Sequence, residues 1–338
     1  MRTQCLIICG VIFLTLFSVR TAVCFAQVNE TTRKSDIDEL TRDVIRHKQK
    51  AKIYSGIEVN SIYETNAALG SIRKGDLSQE YLYTLGLNRL LPHGFNYSLN
   101  YDLDVVQHNE MTDLTIYLNH IRTGVHKSLG KAFVVGGGVD LSYLVYPYYD
   151  AGDSFFYKYY TYVRHNITDK TYHQVLVETG RKYYPNAEAI AESLSDLQEK
   201  KRQDKRDTIE YTIGSVLTSK FFAKLRGRFF INDGNAQFQD FYDYTAYEVA
   251  PKLYYKLSDK ISLNAGLSYL LRLYKNREIT VGGKREKDNV YGANTGMQYK
   301  FNPNHSVSLS YGYRQALSND SFSEYSGSTF SGGWRYDF

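Results

Sequence analysis

The chain has 338 residues, a formal net charge of +5 at pH 7, 32 tyrosines and 17 phenylalanines. So mild a charge does not indicate binding to nucleic acid. The cysteines, Cys5, Cys9 and Cys24, all lie near the N-terminus, so neither disulfides nor thiolate zinc sites are expected in the rest of the chain.

The N-terminus has the pattern of a secretory signal peptide. Arg2 precedes a short apolar run at 5–17, and small residues lead to Ala26. The run is too short for a membrane-spanning helix, so export and cleavage after Ala26 are expected. Residues 1–26 are assigned to this signal, with a lipoprotein signal as the alternative.

A polar arm at 27–50 follows the signal. Ile37, Leu40 and Val44 recur at helical spacing, and Ser35 can cap such a helix. The arm is interpreted as a poorly ordered periplasmic segment or a short amphipathic helix. As a helix, it would offer a contact to a periplasmic partner.

From residue 51 onward, segments of alternating apolar and polar residues are separated by turns. In 95–105 the odd positions are apolar and the even positions are polar, and 133–145, 261–273 and 306–314 alternate in the same way. Such alternation predicts strands with one apolar and one polar face. Fourteen strands are predicted, at 51–65, 79–90, 95–108, 112–127, 131–147, 153–167, 171–184, 207–218, 220–232, 243–257, 260–275, 288–301, 305–317 and 326–338.

The connections between these strands differ in length. Short turns with Pro, Gly, Asn and Asp, such as 91–94 and 258–260, alternate with connections that are mostly longer, such as 66–78 and 276–287. Outer-membrane β-barrels show this asymmetry, with the short turns in the periplasm. An even number of strands places both ends of the barrel there.

The last strand carries a family resemblance. Its apolar face consists of Phe330, Trp334, Tyr336 and the final residue, Phe338. This ending resembles the C-terminal signal that the barrel-assembly machinery reads in Gram-negative outer-membrane β-barrels. Residues 51–338 resemble porin-like barrels, including β-barrel porins and the barrels of surface-export proteins.

The resemblance implies an all-β fold. We expect a transmembrane antiparallel up-and-down β-barrel of about 14 strands over residues 51–338, with short periplasmic turns and longer extracellular loops. Its location would be the cell outer membrane, in contact with lipid and lipopolysaccharide. A soluble β-sandwich, in which the apolar faces pack together, is the alternative.

Inward-facing parity predicts two charged walls in the lumen. The acidic wall comprises Asp102, Asp104, Asp113 and Asp140. The basic wall comprises Lys224, Arg226, Arg228, Lys252, Lys256, Arg272, Lys300, Arg314 and Arg335, with Glu248 as an exception. Opposed walls would create a transverse field, and a basic ladder can pass anions. Alternatively, these charges only solvate the lumen.

Three segments are less regular. Strands 112–127 and 171–184 alternate poorly, and a bulge near 119–120 is predicted in the first of them, which would allow His120 to face lipid. The segment 185–206 has a helix-like composition. It is interpreted as an exposed surface loop or as a constriction folded into the pore.

The sequence shows no catalytic pattern. The eight histidines lack metal-ligand spacing, and no nucleophile elbow is present. His108 and Asp113 are predicted near the mouth, where they are interpreted as an ordinary polar rim. No enzyme activity, metal or cofactor is therefore expected.

The sequence favours a passive channel for small polar or anionic solutes such as saccharides. An export or secretion barrel with periplasmic partners is the first alternative, and a structural surface barrel is the second.

Overall fold

The computed structural model describes residues 51–69, 74–191, 197–279 and 283–338. The predicted signal peptide and N-terminal arm lie outside these residues. Fourteen strands are present: β1 (Ala51–Glu64), β2 (Asp76–Leu90), β3 (Phe95–His108), β4 (Ile116–Leu129), β5 (Phe133–Val145), β6 (Ser154–Asn166), β7 (Thr171–Ile190), β8 (Leu197–Thr218), β9 (Phe221–Gly234), β10 (Tyr244–Lys256), β11 (Ile261–Glu278), β12 (Arg285–Lys300), β13 (His305–Ser318) and β14 (Tyr325–Asp337).

The strands form one closed antiparallel barrel. Each strand pairs with its neighbours in the chain, and β1 pairs with β14 to complete the ring. The predicted all-β barrel of about 14 strands is therefore confirmed. In this described part of the chain, no helix is long and apolar enough to cross a membrane.

A single parity rule separates the two faces of the wall. The register places Leu85 beside Tyr101, and Tyr101 beside Ile121, on the outer face. Leu85 and Ile121 are exposed and Tyr101 is half-buried, and most large apolar residues at odd positions of β1 to β13 are exposed. In β14 the parity is reversed, so Phe330, Trp334 and Phe338 point outward. The apolar face is thus turned toward lipid, as a barrel in a bilayer requires.

The predicted bulge in the fourth strand is wrong. The pairing of β4 with β3 and β5 is unbroken, and His120 lies opposite Asp102 and therefore faces the lumen. Two polar residues, Asn119 and Thr123, consequently face outward. Each has a tyrosine partner: Tyr101 donates a hydrogen bond to Asn119 over 2.8 Å, and Thr123 donates one to Tyr97 over 3.3 Å. These bonds satisfy the polar groups and let the strand keep its register.

The helical interpretation of 185–206 is also wrong, because β7 and β8 continue through most of this segment as a hairpin. Arg202 stabilises it: its guanidinium lies 4.3 Å from the ring centre of Tyr184 and 3.4 Å from that of Tyr242. Asp204 accepts a hydrogen bond from the same guanidinium over 2.8 Å. These stacking and ion-pair contacts therefore outweigh the local helical propensity.

Glycines on the inner face make room for aromatic rings. Tyr160 points inward from β6, and its hydroxyl lies over Gly124 and Gly138 of the two preceding strands. It donates a hydrogen bond to the carbonyl of Thr123 over 3.3 Å. A Cβ at Gly138 would come within 2.6 Å of the Tyr160 hydroxyl. The absence of side chains at these glycines lets the tyrosine lie flat against the wall.

Candidate channel lumen

The inner wall has unequal charge around its circumference. On β1 to β5, acids outnumber bases: Glu58, Glu64, Asp76, Glu80, Asp102, Asp104 and Asp140 against Lys52 and Arg122. On β6 to β14, bases outnumber acids. The bases are Lys158, Arg164, Lys182, Arg202, Arg206, Lys224, Arg226, Arg228, Lys252, Lys256, Arg272, Arg277, Lys300, Arg314 and Arg335, and the acids are Glu178, Asp204, Glu210, Glu248, Glu286, Asp288 and Asp337.

On the acidic side, Asp140 is the centre of a charge network. It is 2% exposed and accepts two hydrogen bonds from Arg122, at 3.0 and 2.7 Å. His120 Nε2 lies 2.6 Å from its other oxygen, and Lys158 Nζ lies 3.5 Å away. Asp102 lies 3.6 Å from the second nitrogen of His120. The Asp140 carboxylate on β5 therefore connects β4 and β6 on the lumen side, and His120 extends the network to Asp102 on β3.

On the basic side, Glu248 has the corresponding place. It accepts hydrogen bonds from Arg226 over 2.7 Å and from Arg228 over 2.6 Å, and it is 6% exposed. Below this group, Lys224 and Lys252 lie directly opposite each other across β9 and β10. The wall here carries more positive than negative charge, with its carboxylate already engaged by arginines.

The predicted basic residues all lie on inward-facing positions, as do Asp102, Asp104 and Asp140. Lys256 lies at the periplasmic rim, where it pairs with the exposed Asp259 over 2.7 Å. Asp113 does not line the lumen: it is exposed in a short turn at Thr112–Leu114, before β4 begins. Strand parity does not apply to Asp113, because it lies in the connection between β3 and β4.

The two walls are less separate than the sequence predicted. Arg122 lies among the acids, while Glu210, Glu248 and Asp288 lie among the bases. Each buried charge has found a local partner, because an unpaired charge in the wall would be costly. What remains is a net negative charge on the inner face of β1 to β5 and a net positive charge on the inner face of β6 to β14.

Sequence reasoning missed an aromatic cluster at the extracellular half of the lumen. Its inward-facing members include Phe230, Tyr244, Tyr274 and Tyr325, all buried. The even positions of Phe230, Tyr244 and Tyr274 indicate the inner face, but the alternation does not show that these rings meet in one cluster. Arginine guanidinium groups lie over these rings, where a polar lumen would otherwise hold water.

The His108 and Asp113 pair predicted at the mouth is not formed. His108 Nδ1 instead lies 3.1 Å from Asp76, and Asp113 is exposed. Asp76 also accepts hydrogen bonds from the backbone of Glu110 and Met111, so this pair fixes a loop. Among the described residues, no group of three or more His, Cys, Asp or Glu could hold a metal ion.

Asp243 makes an extracellular loop sensitive to pH. It lies outside the strands, accepts a hydrogen bond from the Gly234 amide over 2.7 Å, and is 3.3 Å from Lys275. Burial, together with the neighbouring Asp233, raises the pKa of Asp243 to about 6. Because the folded loop binds this proton more tightly than the unfolded loop does, the resulting stability is present below the ordinary pKa and lost as pH rises through about 6.

We therefore expect residues 235–243 to exchange amide hydrogens more slowly at pH 4.5 than at pH 8, after correction for intrinsic exchange rates. Asp243→Asn should remove most of this pH dependence. Asp259→Asn, in an exposed periplasmic turn, should leave it unchanged. Greater protection of the wild-type loop at pH 8 would contradict the assignment to Asp243.

A closed fourteen-strand barrel with an apolar outer face and a polar, charged interior is the architecture of outer-membrane β-barrels. The protein is a barrel of this class in the Gram-negative outer membrane. Residues 196–337 match the family model described as Putative beta-barrel porin 2. No curated protein sequence matches the chain.

Solved structures share the fold at low sequence identity. The outer membrane channel DcaP of Acinetobacter baumannii superposes with a TM-score of 0.53 at 8% identity, covering 85% of this chain and 97% of that chain. A FadL homologue of Pseudomonas aeruginosa has a TM-score of 0.49 at 10% identity, covering 85% and 90%. OmpT of Vibrio cholerae has a TM-score of 0.48 at 13% identity, covering 86% and 99%. The DcaP likeness shows a shared barrel fold.

Proposed function

We propose that the barrel is a passive diffusion channel for small polar solutes, including saccharides, with a preference for anions. The proposal has no catalytic step. It rests chiefly on the excess of inward-facing bases on β6 to β14, opposite the acids of β1 to β5. Low-dielectric walls strengthen such a field inside a pore, so it acts on every solute that passes.

The arginines nearest the middle of the basic wall are poor choices for a test. Arg226 and Arg228 hold Glu248, and Arg272 pairs with Asp288 over 3.3 Å. Neutralising them would leave buried carboxylates without their partners and could disrupt the wall itself. Lys224 and Lys252 carry charge on the same wall, directly opposite each other and nearer the periplasmic turns than Arg226 and Arg228.

We expect Lys224→Gln combined with Lys252→Gln to lower the anion-to-cation permeability ratio by roughly twofold or more. Planar bilayer recordings in a potassium chloride gradient would measure this ratio from the zero-current potential. Lys287→Gln removes one charge from an outward, exposed position of β12 and serves as the control. A wild-type channel that prefers cations, or a double variant with unchanged selectivity, would contradict the proposal.

A further inference from the structure

Residues that follow β1 fold into the extracellular half of the lumen. The side chain of Asn66 donates a hydrogen bond to the Ser326 carbonyl over 3.1 Å, and the amide of Thr65 donates one to Ser328 over 2.9 Å. Asn66 and Ala67 are 1% and 0% exposed. This connection is therefore fixed to the inner edge of β14.

Leu69 extends from this connection onto the aromatic cluster. It packs against the buried group that contains Phe230 and Tyr325. Its φ of 48° lies in the left-handed region, which leucine rarely adopts, and its amide donates a hydrogen bond to Asn66 over 3.1 Å. Surrounding contacts hold Leu69 in this conformation. Its apolar side chain is therefore half-buried within the polar lumen.

Two arginines stand at either end of the same cluster. Arg206 on β8 lies 5.0 Å from the ring centre of Phe230 and donates a hydrogen bond to the Tyr244 hydroxyl over 2.9 Å. Arg314 on β13 lies 5.6 Å from the ring centre of Tyr325. Both are half-buried, and within the described ranges no carboxylate forms an ion pair with either. Their contacts with rings leave their charge uncompensated by acids.

We propose that Leu69, Arg206 and Arg314 form a subsite that selects amphipathic monocarboxylates over hydrophilic ones of similar length. The proposal rests on the anion-preferring channel described above and adds a solute class to it. A guanidinium binds the carboxylate through charge-assisted hydrogen bonds. The apolar part of the solute is removed from water when it packs against Leu69. Hydroxyl groups placed there would lose their hydrogen bonds to water without gaining a hydrogen-bond partner.

Hexanoate and gluconate are suitable probes because both are six-carbon monocarboxylates and only gluconate carries additional hydroxyls. Biionic recordings on the purified full chain, with protein-free membranes subtracted, give the permeability ratio of the two anions. We expect hexanoate to permeate several-fold better through the wild-type channel. Leu69→Asn should reduce the ratio toward one while the chloride-to-potassium selectivity stays unchanged.

Leu82→Asn is the matched control, because Leu82 also points inward and is half-buried but lies on β2, outside the cluster. It should keep the wild-type ratio. Arg206→Gln with Arg314→Gln should lower the permeability of both organic anions. A wild-type ratio near one in a channel that still prefers chloride would overturn the subsite alone, whereas preference for potassium would overturn the proposed function. An unchanged ratio in Leu69→Asn would also overturn the subsite.

Discussion

Asp140→Ala should destabilise the folded barrel by about 3–5 kcal/mol, because it leaves the largely buried His120 and Lys158 without their shared carboxylate. Asp140 is 2% exposed, and Arg122, His120 and Lys158 all lie within 3.5 Å of it. The loss should appear as a lower urea midpoint for unfolding of the refolded barrel, followed by heat-modifiable gel mobility.

Asp207→Ala provides the control for this prediction. Asp207 also accepts hydrogen bonds and pairs with Lys205 over 2.8 Å, but both side chains are about half exposed. An exposed pair of this kind contributes at most about 1 kcal/mol. Equal effects of the two substitutions would show that Asp140 is no more important than a surface carboxylate.

Gly138→Ala should impair assembly of the barrel. The added Cβ would overlap the carbonyl oxygen of Thr123 and come within 2.6 Å of the Tyr160 hydroxyl. The first contact is with backbone of a paired strand, so relief requires β4 and β5 to separate. We expect a loss of about 3 kcal/mol and a smaller folded fraction after refolding.

Gly312 offers a matched position on the inner face of β13. Its nearest neighbour for an added Cβ would be Thr329 Cβ at 3.8 Å, an ordinary van der Waals contact. Gly312→Ala should therefore change stability by no more than about 0.5 kcal/mol. If both alanine variants refold to the same extent, the close packing at Gly138 is not required for assembly.

The architecture could be predicted from the sequence because it depends on a period of two. Leu85, Tyr101 and Ile121 had to share the lipid face, and a closed ring had to satisfy every strand edge. The predicted strands are confirmed, with differences mainly at their extracellular ends. There, contacts between distant segments decide where a strand stops, as Arg202 does by stacking on Tyr184 and Tyr242.

The lumen was harder to predict because parity gives a side chain its direction but not its partner. Parity placed Asp140 and Arg226 inside. It did not show that Arg122 would bind Asp140, or that Glu248 would hold two arginines. Leu69 was missed for a different reason: it lies in a connection, where no periodicity indicates that the chain turns inward.

The most direct test of the central claim, that the barrel is an open passive channel, is the swelling of proteoliposomes in saccharides of increasing size. We expect fast swelling in a pentose and progressively slower swelling in disaccharides and larger oligosaccharides, since residues 65–69 and the aromatic cluster occupy part of the lumen. Swelling in the pentose no faster than in protein-free liposomes would contradict the central claim.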